Sequence, residues 1–488
     1  MRRSSAWFWV SLTGAILLSR LCHVNILWAD EDYHLAAAIQ MLHGKMLYRD
    51  LWYDKPPLTA IVSMLFGAWP GWPLRIASSL IAAASCVLAF RFASGLWSRR
   101  EGFWAAGLLA FSLIFYLPAA TIPLEPDTLM ILPHLAAVYW AWKQKPLAAG
   151  LAAGLAFAMN IKGLMVLLVC LVFAPAAWPL MLAGFLIPNA LILGWLVSQH
   201  AFPAYIESVW RWGLLYAGAP PGDSPVESAL MRLRNWDGFH AALILSAAWC
   251  WLRADKEDRI ATRTFLWAAV SLAAAGVGWR FSPHYLNQLL PPLAIAGARG
   301  ICLLTGETRV PLRRFGAGLL AATALVAMIR FGPRYFLLAA DDLAGRPHAW
   351  RDVALDQESR QASSLIRMLA KDGDSIFVWG YRPNLVVYTR LPVASRMWES
   401  QPLTGVPADR HLRDARSVDP DWARQNRAEL TRSFSISAPS FIVDGLSAYN
   451  PRLDIGGYPD LAAWFRRYCL AGRAGLTTVY RLCDRTAP

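Results

Sequence analysis

The chain has 488 residues, of which 56% are apolar and only 16% charged, and it contains 24 tryptophans. A soluble globular protein carries roughly 25% charged residues, so this composition excludes a disordered chain, a coiled coil and an ordinary cytosolic enzyme and points to a polytopic membrane protein. The net charge of +14 does not indicate nucleic-acid binding. The basic residues fall in short clusters between apolar stretches instead of on one soluble face.

A membrane-spanning helix needs about 20 mostly apolar residues. In chain order the candidates are 6–28, 74–97, 102–120, 126–142, 147–161, 163–178, 180–198, 239–253, 264–279, 285–304 and 314–331. The first reads as an uncleaved span. Placing Arg2 and Arg3 in the cytoplasm then puts Arg99 and Arg100, Lys143 and Lys145, the group Arg253, Lys256, Arg259 and Arg263, and Arg309, Arg313 and Arg314 on the same side. That is the positive-inside pattern. The weakest point of the count is the uncharged turn near Trp178. The apolar segment 58–69 starts at Pro56-Pro57 and is too short to cross, so it reads as an interfacial or re-entrant helix. The expected fold class is therefore a polytopic α-helical membrane protein of about eleven transmembrane helices. Residues 1–331 form the membrane domain, with outer loops 29–73 and 199–238.

Beyond residue 332 charges rise and long apolar runs stop. Helical periodicity over 359–371 and short apolar strands at 376–380, 439–444 and 477–482 predict a small α/β domain over 332–488 on the outer side. Five cysteines lie in apolar spans. Cys469 and Cys483 flank Gly472 and Gly475 and either pair in an oxidising compartment or remain two reduced thiols.

The candidate chemistry sits in the outer loops. The first carries Asp30-Glu31-Asp32-Tyr33-His34 directly after a span, then Asp54-Lys55-Pro56-Pro57. The Pro pair fixes the backbone next to the lysine. The acids alone would equally suit a solvated cap on the span, and the lysine a snorkelling side chain. The second loop carries Glu125-Pro126-Asp127, where an acid at a helix start is also explained by the helix dipole. Lys162 lies at the same predicted face, as do Arg280, His284 and Tyr285. What distinguishes the set is convergence. Carboxylates act as general bases towards a hydroxyl or amine, while Lys and Arg hold a phosphate and stabilise a departing anion. At a membrane–water boundary this suits group transfer from a lipid phosphate.

At these residues the chain resembles a known family. Asp30-Glu31-x-Tyr33, Gly44, Tyr48-Arg49-Asp50, Trp52 and Lys55-Pro56-Pro57-Leu58 are similar to the first outer loop of bacterial GT-C glycosyltransferases, the dolichyl-phosphate-mannose protein mannosyltransferase-like and aminoarabinose-transferase-like enzymes. Pro283-His284-Tyr285, Leu290-Pro291-Pro292, and Val378-Trp379-Gly380 with Ser395-Arg396 are similar to later parts of the same group. The resemblance implies a GT-C fold with a periplasmic C-terminal domain in a bacterial inner membrane, a polyprenyl-phosphate-linked sugar as donor, and inverting transfer to a lipid, glycan or protein acceptor. It implies Asp30 as general base, with Glu31 as the alternative, and Asp127 as the second-loop acid. It implies Lys55 on the donor phosphate, and Arg280, His284, Tyr285, Tyr33 and Lys162 around phosphate and sugar. Asp54, where some relatives carry a Glu, would pair with His284 if a divalent metal is bound. Tyr33-His34 departs from the Arg-Tyr pair of the aminoarabinose branch, which puts that sugar in doubt.

The competing readings are a polytopic transporter, a lipid-linked glycan ligase or polymerase, and a non-catalytic scaffold. Transporters commonly show internal repeats and polar breaks at the bilayer midplane. No repeat is evident here, and most charges gather at one face; Arg20, His23 and Arg91 are the exceptions. Convergence of Asp30, Asp127, Lys55 and Arg280 on one outer cavity is the discriminating observation.

Overall fold

A computed structural model describes the chain except residues 1, 220–223, 256, 349, 408–415 and 484–488, and the side chains of 2–4. Lys256 of the predicted inner cluster lies outside the described residues.

A helix stands on each of the eleven apolar stretches: Arg2–Leu21, Trp72–Leu96, Arg99–Ile114, Pro126–Trp142, Pro146–Met159, Gly163–Phe173, Trp178–Ser198, Ala241–Arg253, Arg259–Gly276, Leu290–Thr305 and Val310–Leu343. Among the described residues, five segments are long and apolar enough to cross a membrane: Trp72–Leu96, Pro175–Ser198, Arg259–Trp279, Tyr285–Thr305 and Val310–Leu343. The helix Gly163–Phe173 has 11 residues and at about 1.5 Å per residue falls short of the ~30 Å hydrocarbon core.

Boundaries follow local chemistry. Pro118 cannot continue a helix and restricts the residue before it, so the helix over Arg99–Ile114 stops short of the predicted 120, and a separate turn, Pro118–Thr121, follows. Asp258 accepts from the amides of Ile260 and Ala261 and starts its helix five residues before the predicted 264. Glycines permit close packing of the bundle. A Cβ on Gly150 would strike the Met181 carbonyl, and one on Gly184 the Leu147 carbonyl, so the helices Pro146–Met159 and Trp178–Ser198 meet backbone to backbone.

The ends of the helices sort as the charge pattern requires. Arg99 reaches Ser5, Arg100 donates to Thr305, Arg299 pairs with Glu101, and Arg253 pairs with Glu307. These contacts gather the first-helix start and three predicted inner loops at one end of the bundle.

At the other end the first outer loop folds into the helices Glu31–Leu42 and Leu58–Met64. The second of these is the short helix expected after Pro56-Pro57. The last apolar helix does not end at 331 but runs 34 residues to Leu343, because its hydrogen bonding continues past the charges that end the apolar signal. Residue 332 therefore lies inside a helix.

The C-terminal part holds a four-stranded sheet of β1 (Ile376–Trp379), β2 (Phe441–Asp444), β3 (Tyr468–Ala474) and β4 (Thr477–Leu482) in the order β1-β2-β4-β3. β1 and β2 are parallel and the remaining pairs antiparallel. The helix Ala354–Leu369 lies against the β3–β4 hairpin, with Leu365 filling the space over Gly472. The bond Cys469–Cys483 closes the open end of the hairpin. This domain has no core separate from the first loop. Leu27, Tyr33 and Trp52 share one apolar cluster with Trp379, Trp398 and Trp422. The Trp398 indole donates to the Trp52 carbonyl at 2.7 Å, and the Trp52 amide donates to the Arg396 carbonyl at 2.8 Å.

Candidate active site

The acid triplet after the first span splits into three environments. Glu31 is wholly buried. Its carboxylate accepts from both terminal nitrogens of Arg75, at 3.0 and 2.6 Å, and from the amides of Trp28 and Leu124, at 2.9 and 3.0 Å. Arg75 also donates to the carbonyls of His23 and Ile26. This fork–fork pair ties the first outer loop to the second and to the helix Trp72–Leu96. With four donors on its carboxylate, Glu31 is a buried tie between these segments.

Asp30 is the opposite case. It precedes the helix Glu31–Leu42 at φ 74°, and its side chain makes no capping bond. Asp tolerates the left-handed region better than most residues, and the neighbouring Glu31 anchor fixes the backbone on which it sits. Asp30 lines a cavity of about 360 Å³ together with Trp28, Asp32, His284, Asp356 and Tyr381. The third acid, Asp32, lines the same cavity. Burial, with the nearby charges of Asp30 and Glu31, pushes its carboxyl well above the usual carboxylate range.

The segment Asp54-Lys55 is held from two sides. The amide of Asp54 donates to the Tyr33 hydroxyl at 3.1 Å, and the Tyr48 hydroxyl donates to the Lys55 carbonyl at 2.8 Å. Tyr33 is itself clamped between the rings of Tyr53 and Trp398, with centroids at 5.2 and 5.4 Å. Tyr33 thus positions the lysine segment through its hydroxyl. The Lys55 ammonium meets the Asp54 carboxylate at 3.0 Å while its side chain remains 43% exposed, which leaves donor capacity for an anion.

The second acid centre is built on the helix Pro126–Trp142. Glu125 caps it, accepting from the amides of Asp127 and Thr128. Burial and the charge of Asp127 push the Glu125 carboxyl upward. Asp127 accepts from Lys162 at 3.4 Å and Gln288 at 3.3 Å. The Lys162 ammonium lies 3.0 Å from the Tyr285 ring centroid. Burial lowers the Lys162 pKa, against the opposing pull of Asp127.

His284 connects these groups. Burial depresses its pKa, and the charges that act on it are Asp30, Asp127, Lys162 and Lys55. Tyr285 in turn has Tyr216, Asp127, Asp30 and Arg280 as electrostatic neighbours. Arg280 is buried, lies 3.8 Å over the Tyr216 ring and donates to the Tyr216 and Ala219 carbonyls. Of the four residues expected on one outer cavity, Asp30 lines it, beside His284, while Lys55, Asp127 and Arg280 are not among its lining residues and act on His284 or Tyr285 as charged neighbours. Arg280 stands behind Tyr216 with one terminal nitrogen engaged by the backbone.

Among the described residues no group of three or more His, Cys, Asp or Glu side chains is placed to hold an ion, and Asp54 is engaged by Lys55. Arg20 is a bundle partner, donating to Ser19 and to the Leu113 and Thr121 carbonyls.

Sequence reasoning missed Arg75, and it also missed the wall that the C-terminal domain supplies through Asp356 and Tyr381. A signal existed for Arg75, since a lone cation just inside an apolar span demands a partner. None existed for the wall, which depends on how the sheet docks.

Residues 54–197 match the family model described as dolichyl-phosphate-mannose-protein mannosyltransferase. No curated protein sequence matches the chain. Among solved structures, ArnT from Cupriavidus metallidurans bound to undecaprenyl phosphate superposes with a TM-score of 0.60 at 14% identity, covering 100% of both chains. Its apo form gives 0.59 at 14% identity over 99% of each. The oligosaccharyltransferase AglB from Archaeoglobus fulgidus, in complex with an inhibitory peptide and a dolichol-phosphate, gives 0.50 at 10% identity, covering 99% of this chain and 75% of that one. The chain therefore has the fold of GT-C membrane glycosyltransferases, as its first outer loop implied.

Proposed function

We propose that this GT-C-fold chain is a membrane glycosyltransferase that moves a sugar from a polyprenyl phosphate to a lipid, glycan or protein acceptor. The observation that carries the reading is that Asp30 and His284 line one cavity, with the Asp127–Lys162 pair and Lys55 as charged neighbours of His284. The ArnT relative was solved with undecaprenyl phosphate, and Lys55 is the exposed cation best placed here for such a phosphate. In this reading about eleven helices cross a bacterial inner membrane. The outer loops and sheet domain face the periplasm, where the Cys469–Cys483 bond suits an oxidising compartment.

The reaction is a single displacement with inversion. The acceptor hydroxyl or amine attacks the anomeric carbon and gives its proton to Asp30. The bond from that carbon to the lipid-phosphate oxygen breaks, and the electron pair leaves on the phosphate. Lys55 holds the phosphate and offsets the charge that develops there. Asp127, fixed by Lys162 and Gln288, orients substrate at the far side of His284. Tyr33 and Tyr48 hold the Lys55 backbone, so that the cation and Asp30 keep their spacing.

The test is a mass analysis of cell-envelope glycans with and without the protein, paired with native mass spectrometry of undecaprenyl phosphate on the purified chain. The expected result is one sugar addition that depends on the protein and disappears in Asp30→Asn and Lys55→Ala. An envelope unchanged by loss of the protein, with no lipid phosphate bound, would refute the reading.

A further inference from the structure

The cavity that holds Asp30 has a second polar wall, at the seam between the first outer loop and the C-terminal domain. From the loop comes Asp32, 4% exposed, whose Oδ1 has no hydrogen-bond partner among the described residues. From the start of the helix Asn384–Thr389 comes Asn384, 5% exposed, whose Oδ1 is likewise unpartnered among the described residues. Both residues line the cavity. Three charged groups of this wall have partners. Asp356 is bonded by Arg360 and Tyr388, Asp352 by Arg334, and the Arg382 guanidinium by Ser359 and Thr477.

A buried oxygen without a partner is costly, and native folds retain few of them. Two such oxygens belong to residues that line one cavity from segments about 350 residues apart in sequence, and an external donor there would satisfy both. The Asn384 oxygen only accepts, so its missing partner brings a hydrogen, while the Asp32 carboxyl, held towards its uncharged form, can accept from one hydroxyl and donate to another. A phosphodiester brings no hydrogen and would leave the Asn384 oxygen unpaired.

We propose that Asp32 and Asn384 form a subsite for a hydroxyl-bearing group of the acceptor, so that the C-terminal domain takes part in choosing what is glycosylated. The inference rests on reading the cavity as the site of transfer. It divides that site in two: the lipid phosphate lies towards Lys55, and a polyol lies under Asn384 with a hydroxyl within reach of Asp30. A neutral polyol fits better than an ammonium, because burial and the flanking acids hold the Asp32 carboxyl towards its uncharged form, and Asn384 carries no charge.

The test uses Asp32→Ala and Asn384→Ala in the full-length chain, with three measurements: glycan modification in cells, undecaprenyl phosphate occupancy by native mass spectrometry, and thermal unfolding. Each substitution should lower modification by about tenfold, equivalent to one lost polar contact, with lipid-phosphate occupancy unchanged. Asp32→Ala should unfold no earlier than the parent chain, because it removes an unpartnered buried oxygen; a purely structural carboxyl would show the reverse. Wild-type modification in Asn384→Ala would overturn the subsite. A parallel loss of lipid-phosphate occupancy in both variants would also overturn it, by assigning the wall to the donor. If the unaltered chain neither modifies the envelope nor binds undecaprenyl phosphate, the transferase reading fails first and the subsite falls with it.

Discussion

Replacing Glu31 with Ala separates structure from chemistry within the acid triplet. Glu31 and Arg75 are both 0% exposed, and the carboxylate receives two bonds from the guanidinium and one each from the Trp28 and Leu124 amides. Removing one partner of a buried ion pair costs about 3–5 kcal/mol, since the other charge is left uncompensated. That is a large share of the ~5–15 kcal/mol by which a domain is stable. The two orphaned amides fall within the same loss and are not added to it. Thermal unfolding of the purified full-length chain should therefore shift strongly downward. The pair Glu31→Leu with Arg75→Met removes both charges and should recover part of the loss, though not the part that belongs to the two amides. If Glu31→Ala unfolds with the parent chain yet loses transfer, the tie is wrong and Glu31 regains its claim to be the base.

Asp30→Asn should leave unfolding unchanged, since Asp30 makes no capping bond, while transfer falls by about 10²–10⁴-fold, the usual worth of a general base. Lys55→Ala should weaken undecaprenyl phosphate binding by about 1.5–3 kcal/mol, read by native mass spectrometry. Asp32 gives a pH signature. Its folded pKa is raised, so its contribution to stability is full below about pH 3.9 and is lost as pH rises through the folded value. Asp32→Asn removes that loss, and its unfolding temperature relative to the parent should climb as pH rises from acid to neutral; a constant difference would contradict the assignment. Alkylation of the unreduced, denatured chain should modify five thiols of seven, with Cys469 and Cys483 protected. Opening that link should cost about 2–3 kcal/mol, given its sequence separation of 14.

Much of the fold was legible because apolar content along the chain reports helices directly. The limits have physical causes. The helix Val310–Leu343 outlasts its apolar signal, since backbone bonding is indifferent to the charges of Arg330 and Arg334. β3 went unpredicted because neither of its faces is buried regularly and Gly472 interrupts any alternation. In the site, Asp30, Lys55, Asp127 and His284 stood out as charges beside prolines and span ends. The separate fates of Asp30 and Glu31 did not, because neighbouring residues share one sequence context until a backbone turn at φ 74° sends them to different places. The tie to Arg75 and the wall from Tyr381 and Asn384 are long-range contacts that no local pattern encodes.

The central claim is that distant segments build one lipid-phosphate transfer site at the outer end of the bundle. An experimental structure of the full-length chain with undecaprenyl phosphate tests it most directly. The account predicts the phosphate within hydrogen-bonding distance of the Lys55 ammonium, with Asp30 and His284 facing the same cavity. A phosphate bound away from Lys55, or Asp30 turned out of the cavity that receives it, would contradict the account.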